Sequence, residues 1–304
     1  MYKVASRWNH GDSIKVEWNI GKRCNYDCSY CPSSIHDNFS PHTDYYTLQN
    51  TVDKLASLGK PIRLSLTGGE PCVHPDIERL ITYIKSKNMW LSVTTNGTRK
   101  PLWYVRQLLD QYVFSLHFEH EWADVLYTIK TVHEQIHGAH ILVNVMCHQD
   151  KMKEVRDAVI ILSNNNIKFN LRRVRWTEGD HDLFDDMKYD QKDLDYILQH
   201  NSTVGANTVI HSKDSDGEVI ELYHANDVIK LHKNQYKGWQ CNAGLESLMI
   251  NWDGEVHRAT CRVGGSIGNI YNGTFTVPTE PVTCDRNFCT CAADIPLTKY
   301  DNSN

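Results

Sequence analysis

Three cysteines, Cys24, Cys28 and Cys31, stand within eight residues in the run Gly21-Lys-Arg-Cys-Asn-Tyr-Asp-Cys-Ser-Tyr-Cys-Pro32. Thiolates are soft ligands that select iron–sulfur clusters, zinc or copper(I). A cubane [4Fe–4S] cluster has four irons to ligate, so three local thiolates leave one iron open to a substrate or cofactor. Zinc is the competing reading, because Cys-x2-Cys pairs are common zinc ligands. A structural zinc takes four ligands, however, and here the fourth would have to come from His36, His42 or a C-terminal cysteine. Three cysteines this close cannot all pair as disulfides, and nothing marks the chain as secreted.

Two further groups carry chemistry. Gly68-Gly69-Glu70 reads at its simplest as a tight turn, yet a carboxylate beside two glycines can also approach an ammonium group closely. Near the C-terminus stand five more cysteines, Cys241, Cys261, Cys284, Cys289 and Cys291, dense enough to suggest a second metal centre, with zinc again the alternative. Cys72 and Cys147 read as small buried hydrophobes. Histidine is plentiful but shows no His-Glu-x-x-His spacing. His117 and His120 are expected near a substrate, and the polar stretch 33–46 is expected to form a lid.

The elements that must position these groups follow from periodicity. Strands are predicted over residues 13–20, 62–67, 90–95, 113–118, 141–146 and 167–174. Helices are predicted over 48–58, 76–87, 101–112, 121–137 and 151–164, with Pro101 at a tolerated first turn. Strands alternating with helices imply an α/β fold with a parallel sheet, whose ligands gather at the carboxyl ends of the strands. The cysteine loop, the Gly-Gly-Glu turn and Thr95-Asn-Gly97 all fall at such ends. Beyond residue 177 the pattern is irregular. A helix over 191–200 and two hairpins are predicted there, turning at Asp216-Gly217 and Asp253-Gly254.

Length, composition and charge narrow the class. At 304 residues and a formal net charge of −5, the chain suits one large α/β unit with a small appendage and has no electrostatic footprint for nucleic acid. No apolar run is long enough to span a membrane, and the N-terminus lacks a signal-peptide core. A cytoplasmic location is expected, where ten cysteines serve metals rather than disulfides.

The spacing C-x3-C-x2-C, with Tyr30 before the last cysteine and Gly68-Gly69-Glu70 one βα unit later, resembles the radical S-adenosylmethionine (radical SAM) enzymes. The resemblance covers residues 13–174 and implies a partial (βα)6 TIM-like barrel. It implies that Cys24, Cys28 and Cys31 hold a [4Fe–4S] cluster whose open iron chelates SAM. Gly68, Gly69 and Glu70 would then bind the SAM amino group and Tyr30 the adenine. Asn96 and Ser115 would contact ribose or carboxylate, with Asn144 and Arg172 as further contacts. The C-terminal cysteines resemble the auxiliary-cluster modules called twitch and SPASM; five is too few for a full SPASM, so a twitch-like module with one [4Fe–4S] cluster fits better. The division expected is a barrel with its extension over 1–235 and the module over 236–304.

The implied activity is reductive cleavage of SAM to a 5′-deoxyadenosyl radical, followed by hydrogen abstraction from a small molecule or peptide. With an auxiliary cluster taking the remaining electron the net reaction is an oxidation, and flavodoxin or ferredoxin would be the electron donor. Epimerisation and peptide cross-linking are alternatives within the family. The short stretch before Cys24 leaves no room for a leader-binding domain, which argues mildly against ribosomal peptides. From another class, a zinc-stabilised binding protein without catalysis fits the cysteines too.

Overall fold

The computed structural model describes residues 1–7, 13–174, 189–200 and 205–301. After a short strand β1 (Lys3–Ser6), period-two alternation builds β2 (Ile14–Asn19), β3 (Ile62–Thr67), β4 (Trp90–Thr95), β5 (Gln111–Leu116), β6 (His140–Cys147) and β7 (Lys168–Arg173). β2 to β7 pair in parallel and in chain order. The crossovers are α1 (Tyr45–Ala56), α2 (Ile77–Ser86), α3 (Pro101–Val105), α4 (Trp122–Gln135) and α5 (Met152–Asn164).

The sheet has two unlike faces because successive side chains alternate. One face buries Leu64, Leu66, Leu91, Val93, Phe114, Leu116, Val143 and Val145 against helix residues such as Leu48, Val52, Leu80, Ile84, Ile129 and Val155. In α2 the buried Ile77, Leu80, Ile81 and Ile84 follow the helical repeat. Each such side chain contributes about 1.5–3 kcal/mol on burial, so this helical layer holds the sheet together. The opposite face is polar: Glu17, Ser65 and Ser92 stand in one register row, Ser115, Asn144 and Asn170 in another.

Two expected boundaries move. The helix from Pro101 ends at Val105, and the next strand starts at Gln111 instead of residue 113. Tyr112 is the reason: its ring is buried, and its hydroxyl donates to the carbonyls of Tyr104 (2.8 Å) and Gln107 (3.2 Å). Asp110 also pins the chain to β4, accepting the Leu91 amide at 2.6 Å and returning its own amide to the Leu91 carbonyl at 2.9 Å. In the expected lid, helix α1 begins three residues early, because the Asp44 carboxylate accepts the Thr47 amide at 3.0 Å and caps it.

The rest of the chain forms α6 (Gln191–His200), the hairpin β8 (Thr208–Asp214) and β9 (Gly217–Tyr223), α7 (Ala225–Lys230), β10 (Gln240–Cys241), the hairpin β11 (Ser247–Ile250) and β12 (Glu255–His257), β13 (Ser266–Asn269), β14 (Val282–Thr283) and β15 (Lys299–Tyr300). Part of the irregular stretch expected after residue 177 lies outside the described residues. β11 pairs in parallel with β2, so β11, β12 and β13 extend the larger sheet to nine strands. The smaller, six-stranded sheet runs β14-β10-β15-β1-β8-β9. Strands from both sides of residue 235 therefore share each sheet. No helix among the described residues is long and apolar enough to cross a membrane.

Candidate active site at the strand carboxyl ends

Chain leaving β2 turns into the cysteine loop and is gripped at once by the turn after β3. The Gly69 amide donates to the Gly21 carbonyl at 2.8 Å, and the Glu70 amide to that of Arg23 at 2.9 Å. This approach admits no side chain. A Cβ on Gly69 would lie 2.1 Å from the Lys22 carbonyl oxygen, and one on Gly68, at φ +126°, 2.4 Å from that of Gly21. The Cys24 amide donates to the Asp37 carbonyl at 2.7 Å, and Lys22 pairs with the Asp37 carboxylate at 3.2 Å. Burial pushes that carboxyl up, but the Ser40 hydroxyl and amide, with Lys22, outweigh it and hold it well below the usual range.

Glu70 turns its carboxyl toward the end of β4. Its carboxyl is buried and faces three donors: the Cys72 amide (2.9 Å) and Thr95 hydroxyl (2.7 Å) on Oε1, and the Asn96 amide (2.6 Å) on Oε2. Burial raises its pKa and these hydrogen bonds oppose the rise. Asn96 carries the link onward, its Nδ2 reaching Asn25 Oδ1 at 2.9 Å and lying 3.9 Å from Cys24 Sγ. Glu70 thus fixes the end of β4 against the first cysteine.

The far side of the loop is held from β5. His117 Nδ1 lies 2.7 Å from the Tyr30 hydroxyl and 3.6 Å from Cys28 Sγ. Glu119 accepts the Ser29 amide at 2.8 Å and its hydroxyl at 2.5 Å, and His148 approaches it at 3.4 Å. His120 stacks on Tyr26, ring centroids 3.8 Å apart. His117 and His120, expected near substrate, are therefore engaged with the cysteine loop. Burial, helped by His120, lowers the His117 pKa to about 4. Glu119 and His148 escaped the sequence reading, as neither belongs to a motif.

Burial pushes the Cys28 thiol up to about 12, Glu119 and the other two thiols adding to the rise, and pushes Cys31 up to about 11, with Cys24 adding. Such thiols ionise readily only against a metal centre's positive charge. Among the described residues no three His, Cys, Asp or Glu side chains converge as a single ion requires. A cube's ligands bind separate irons and stand farther apart, so three soft donors on one braced loop suit a [4Fe–4S] cluster. Of the remaining contacts expected, Ser115 and Asn144 share a register row on the polar face, and Arg172 Nε lies 3.4 Å from Asn144 Oδ1. Asn170, unforeseen, completes the row, and its buried Oδ1 has no partner among the described residues. An unsatisfied buried acceptor invites a donor from a ligand.

Four of the five C-terminal cysteines lie in two apolar clusters. Cys284 and Cys289 pack with Val4, Ile210, Tyr236 and Ile295, and Cys241 and Cys261 with Ala243, Ala259 and Val263. Burial displaces Cys261 and Cys289 upward and Cys291 to about 11. A buried tyrosine hydroxyl without a partner, that of Tyr236, and a buried lysine, Lys299, lie in the same region. A group of thiols beside an orphaned donor fits an anionic metal centre. Cys72 and Cys147 belong to the main core.

The chain matches the family model of the Radical SAM superfamily over residues 18–168. The Fe-coproporphyrin III synthase of Methanosarcina barkeri is 36% identical over 84 residues, 27% of this chain and 21% of that protein. The S-adenosylmethionine-dependent nucleotide dehydratase of Selenomonas ruminantium is 33% identical over 88 residues, 28% of this chain and 31% of that one. The matched stretch thus spans about a fifth to a third of these curated relatives. Streptococcus suis SuiB shares the fold at a TM-score of 0.57 and 14% identity, over 86% of this chain and 64% of that one. The anSMEcpe structure with bound AdoMet does so at 0.56 and 13%, over 86% and 79%.

Proposed function

Starting from a chain whose residues 18–168 form a domain of the radical SAM enzyme superfamily, we propose an enzyme that removes a hydrogen atom from a small-molecule or peptide substrate in a net oxidation. The observation that carries this reading is the brace on the cysteine loop, in which Gly69, Glu70 and Asn96 tie the start of the loop that bears the three thiols to the ends of β3 and β4. Cys24, Cys28 and Cys31 would hold the family's [4Fe–4S] cluster. When bound, this cluster and SAM would supply a radical able to take a hydrogen atom, and a second cluster would supply an acceptor for the electron that remains once a proton has left to water.

The protein's own residues position and exclude. Gly68, Gly69 and Glu70, packed on the backbone of the cysteine loop, would bind the SAM amino group. Tyr30, held by His117, offers a ring for the adenine, and Asn96, Ser115, Asn144 and Arg172 offer polar groups to the ribose and carboxylate. Asn170 joins them through its unpartnered Oδ1. A polar inner face suits the substrate, which must be oriented with one carbon near the radical. In the same reading β2 to β7 form a partial barrel. Residues 236–304 form a twitch-like module in which four of Cys241, Cys261, Cys284, Cys289 and Cys291 supply the second cluster's ligands.

The test is iron analysis with SAM cleavage. Anaerobic reconstitution should load about eight irons and eight sulfides, as two cubes require, and dithionite with SAM should release 5′-deoxyadenosine slowly. A Cys24→Ala, Cys28→Ala, Cys31→Ala variant should lose that cleavage and keep about half the iron. Cleavage by that variant, or a colourless protein holding one or two zincs, would refute the reading.

A further inference from the structure

Lys299 is 2% exposed, a costly place for a charge unless something anionic lies close. Its Nζ donates to three backbone carbonyls, those of Asp294 (2.7 Å), Ile295 (3.0 Å) and Leu297 (3.0 Å). Three acceptors match the three N–H donors of an ammonium, whereas a neutral amine has two. These carbonyls solvate the cation without neutralising it. Asp294, the neighbouring carboxyl, takes the Cys261 amide at 2.8 Å through Oδ2 and lends Lys299 its backbone oxygen.

A further negative charge has an evident source. In the smaller sheet Lys299 stands directly across from Cys241, and residues so paired project their side chains from the same face. The ring of Tyr236 lies under the ammonium, 5.2 Å away, and shares an apolar cluster with Cys284 and Cys289. Its hydroxyl is buried and finds no acceptor among the described residues. A buried cation, with Asp294 as its one neighbouring carboxyl among the described residues, and a donor without an acceptor there thus stand beside the C-terminal thiols. A cube held by thiolates supplies both, being net anionic and bearing sulfurs that accept hydrogen bonds.

We propose that Lys299 and Tyr236 form the cationic, hydrogen-bond-donating side of the second metal centre and raise its reduction potential, readying it to take an electron from the substrate. They are positioning residues that act on the centre and not on substrate. The inference rests on the Proposed function's assignment of a redox-active cluster to the C-terminal cysteines.

The experiment uses the full chain carrying Cys24→Ala, Cys28→Ala and Cys31→Ala, reconstituted with iron and sulfide so that the second centre is seen alone. Its midpoint is titrated by optical and electron-paramagnetic-resonance spectroscopy. Lys299→Met should make reduction at least tenfold less favourable, a shift of 59 mV or more to negative potential for one electron. Tyr236→Phe should shift it the same way by a smaller amount, and Lys299→Arg should stay near the parent. Absence of iron in the parent variant would overturn the second cluster and this inference together. Full iron with unmoved potentials would overturn the inference and leave the cluster standing. Should Lys299→Met fail to fold, Tyr236→Phe still decides, since it removes a hydroxyl that bonds nothing among the described residues.

Discussion

Replacing Glu70 by glutamine keeps the shape of the side chain and removes one acceptor from a site that needs two. The Cys72 amide points at Oε1 and the Asn96 amide at Oε2, at 2.9 and 2.6 Å, and the site is closed to water. An amide side chain has one acceptor oxygen, so whichever way it is turned, one backbone N–H meets an NH2 group. A buried unsatisfied donor costs about 1–3 kcal/mol, and the surviving bond loses its charged acceptor for roughly another 1 kcal/mol. The sum, about 2–4 kcal/mol, favours opening of the cysteine loop by roughly 30- to 700-fold. The helical core is untouched, so the effect is local. Hydrogen exchange should speed up in peptides covering residues 21–31 and 94–98, and iron bound per chain should fall by up to half. Unchanged exchange in both peptides with full iron would refute the claim that Glu70 holds the loop through these amides.

Other consequences are as direct. Gly69→Ala places a methyl within 2.3 Å of two backbone oxygens, an overpacking worth about 1–3 kcal/mol or more. It should abolish SAM cleavage while the spectrum of the second centre persists. Asp44→Ala should cost about 1 kcal/mol as a lost helix cap, read by chemical denaturation. The Thr47 hydroxyl and amide lower the Asp44 carboxyl in the folded state. Its contribution is therefore complete above the unfolded carboxylate range, near 3.9, and is lost as pH falls through the folded value. Asp44→Asn should flatten that acid limb of the stability curve. In D2O, an oxidation should leave the product carbon free of solvent deuterium, whereas epimerisation would place deuterium there, as mass spectrometry of the product would report.

Features that rest on neighbours in sequence were legible from the chain. β3 and β4 fall at the expected residues because alternation over six positions is a local signal. The stretch 101–112 misled because Pro101 opens a helix that the local pattern does not stop. Leu102 and Leu108 are exposed, and Tyr112 and Asp110 tie the stretch to residues outside any window that reads periodicity. At the site, the cysteine spacing and the Gly-Gly-Glu turn could be seen, but not the direction of the Glu70 carboxyl, which depends on where β4 ends. The bonds of His117 to the cysteine loop could not be seen in the sequence, and Glu119, His148 and Asn170 passed unremarked, since a lone polar residue at a strand end announces nothing by itself.

The order of strands, the sulfur-rich loop and the donors it offers are properties of the sequence alone, because each is written in spacings shorter than one βα unit. Tertiary structure decided what braces that loop. It also decided that β1 lies beside β15 at the other end of the chain, and that Lys299 faces Cys241. Those contacts join residues tens to hundreds of positions apart, and closing the sheets brings them together through packing that no local pattern encodes.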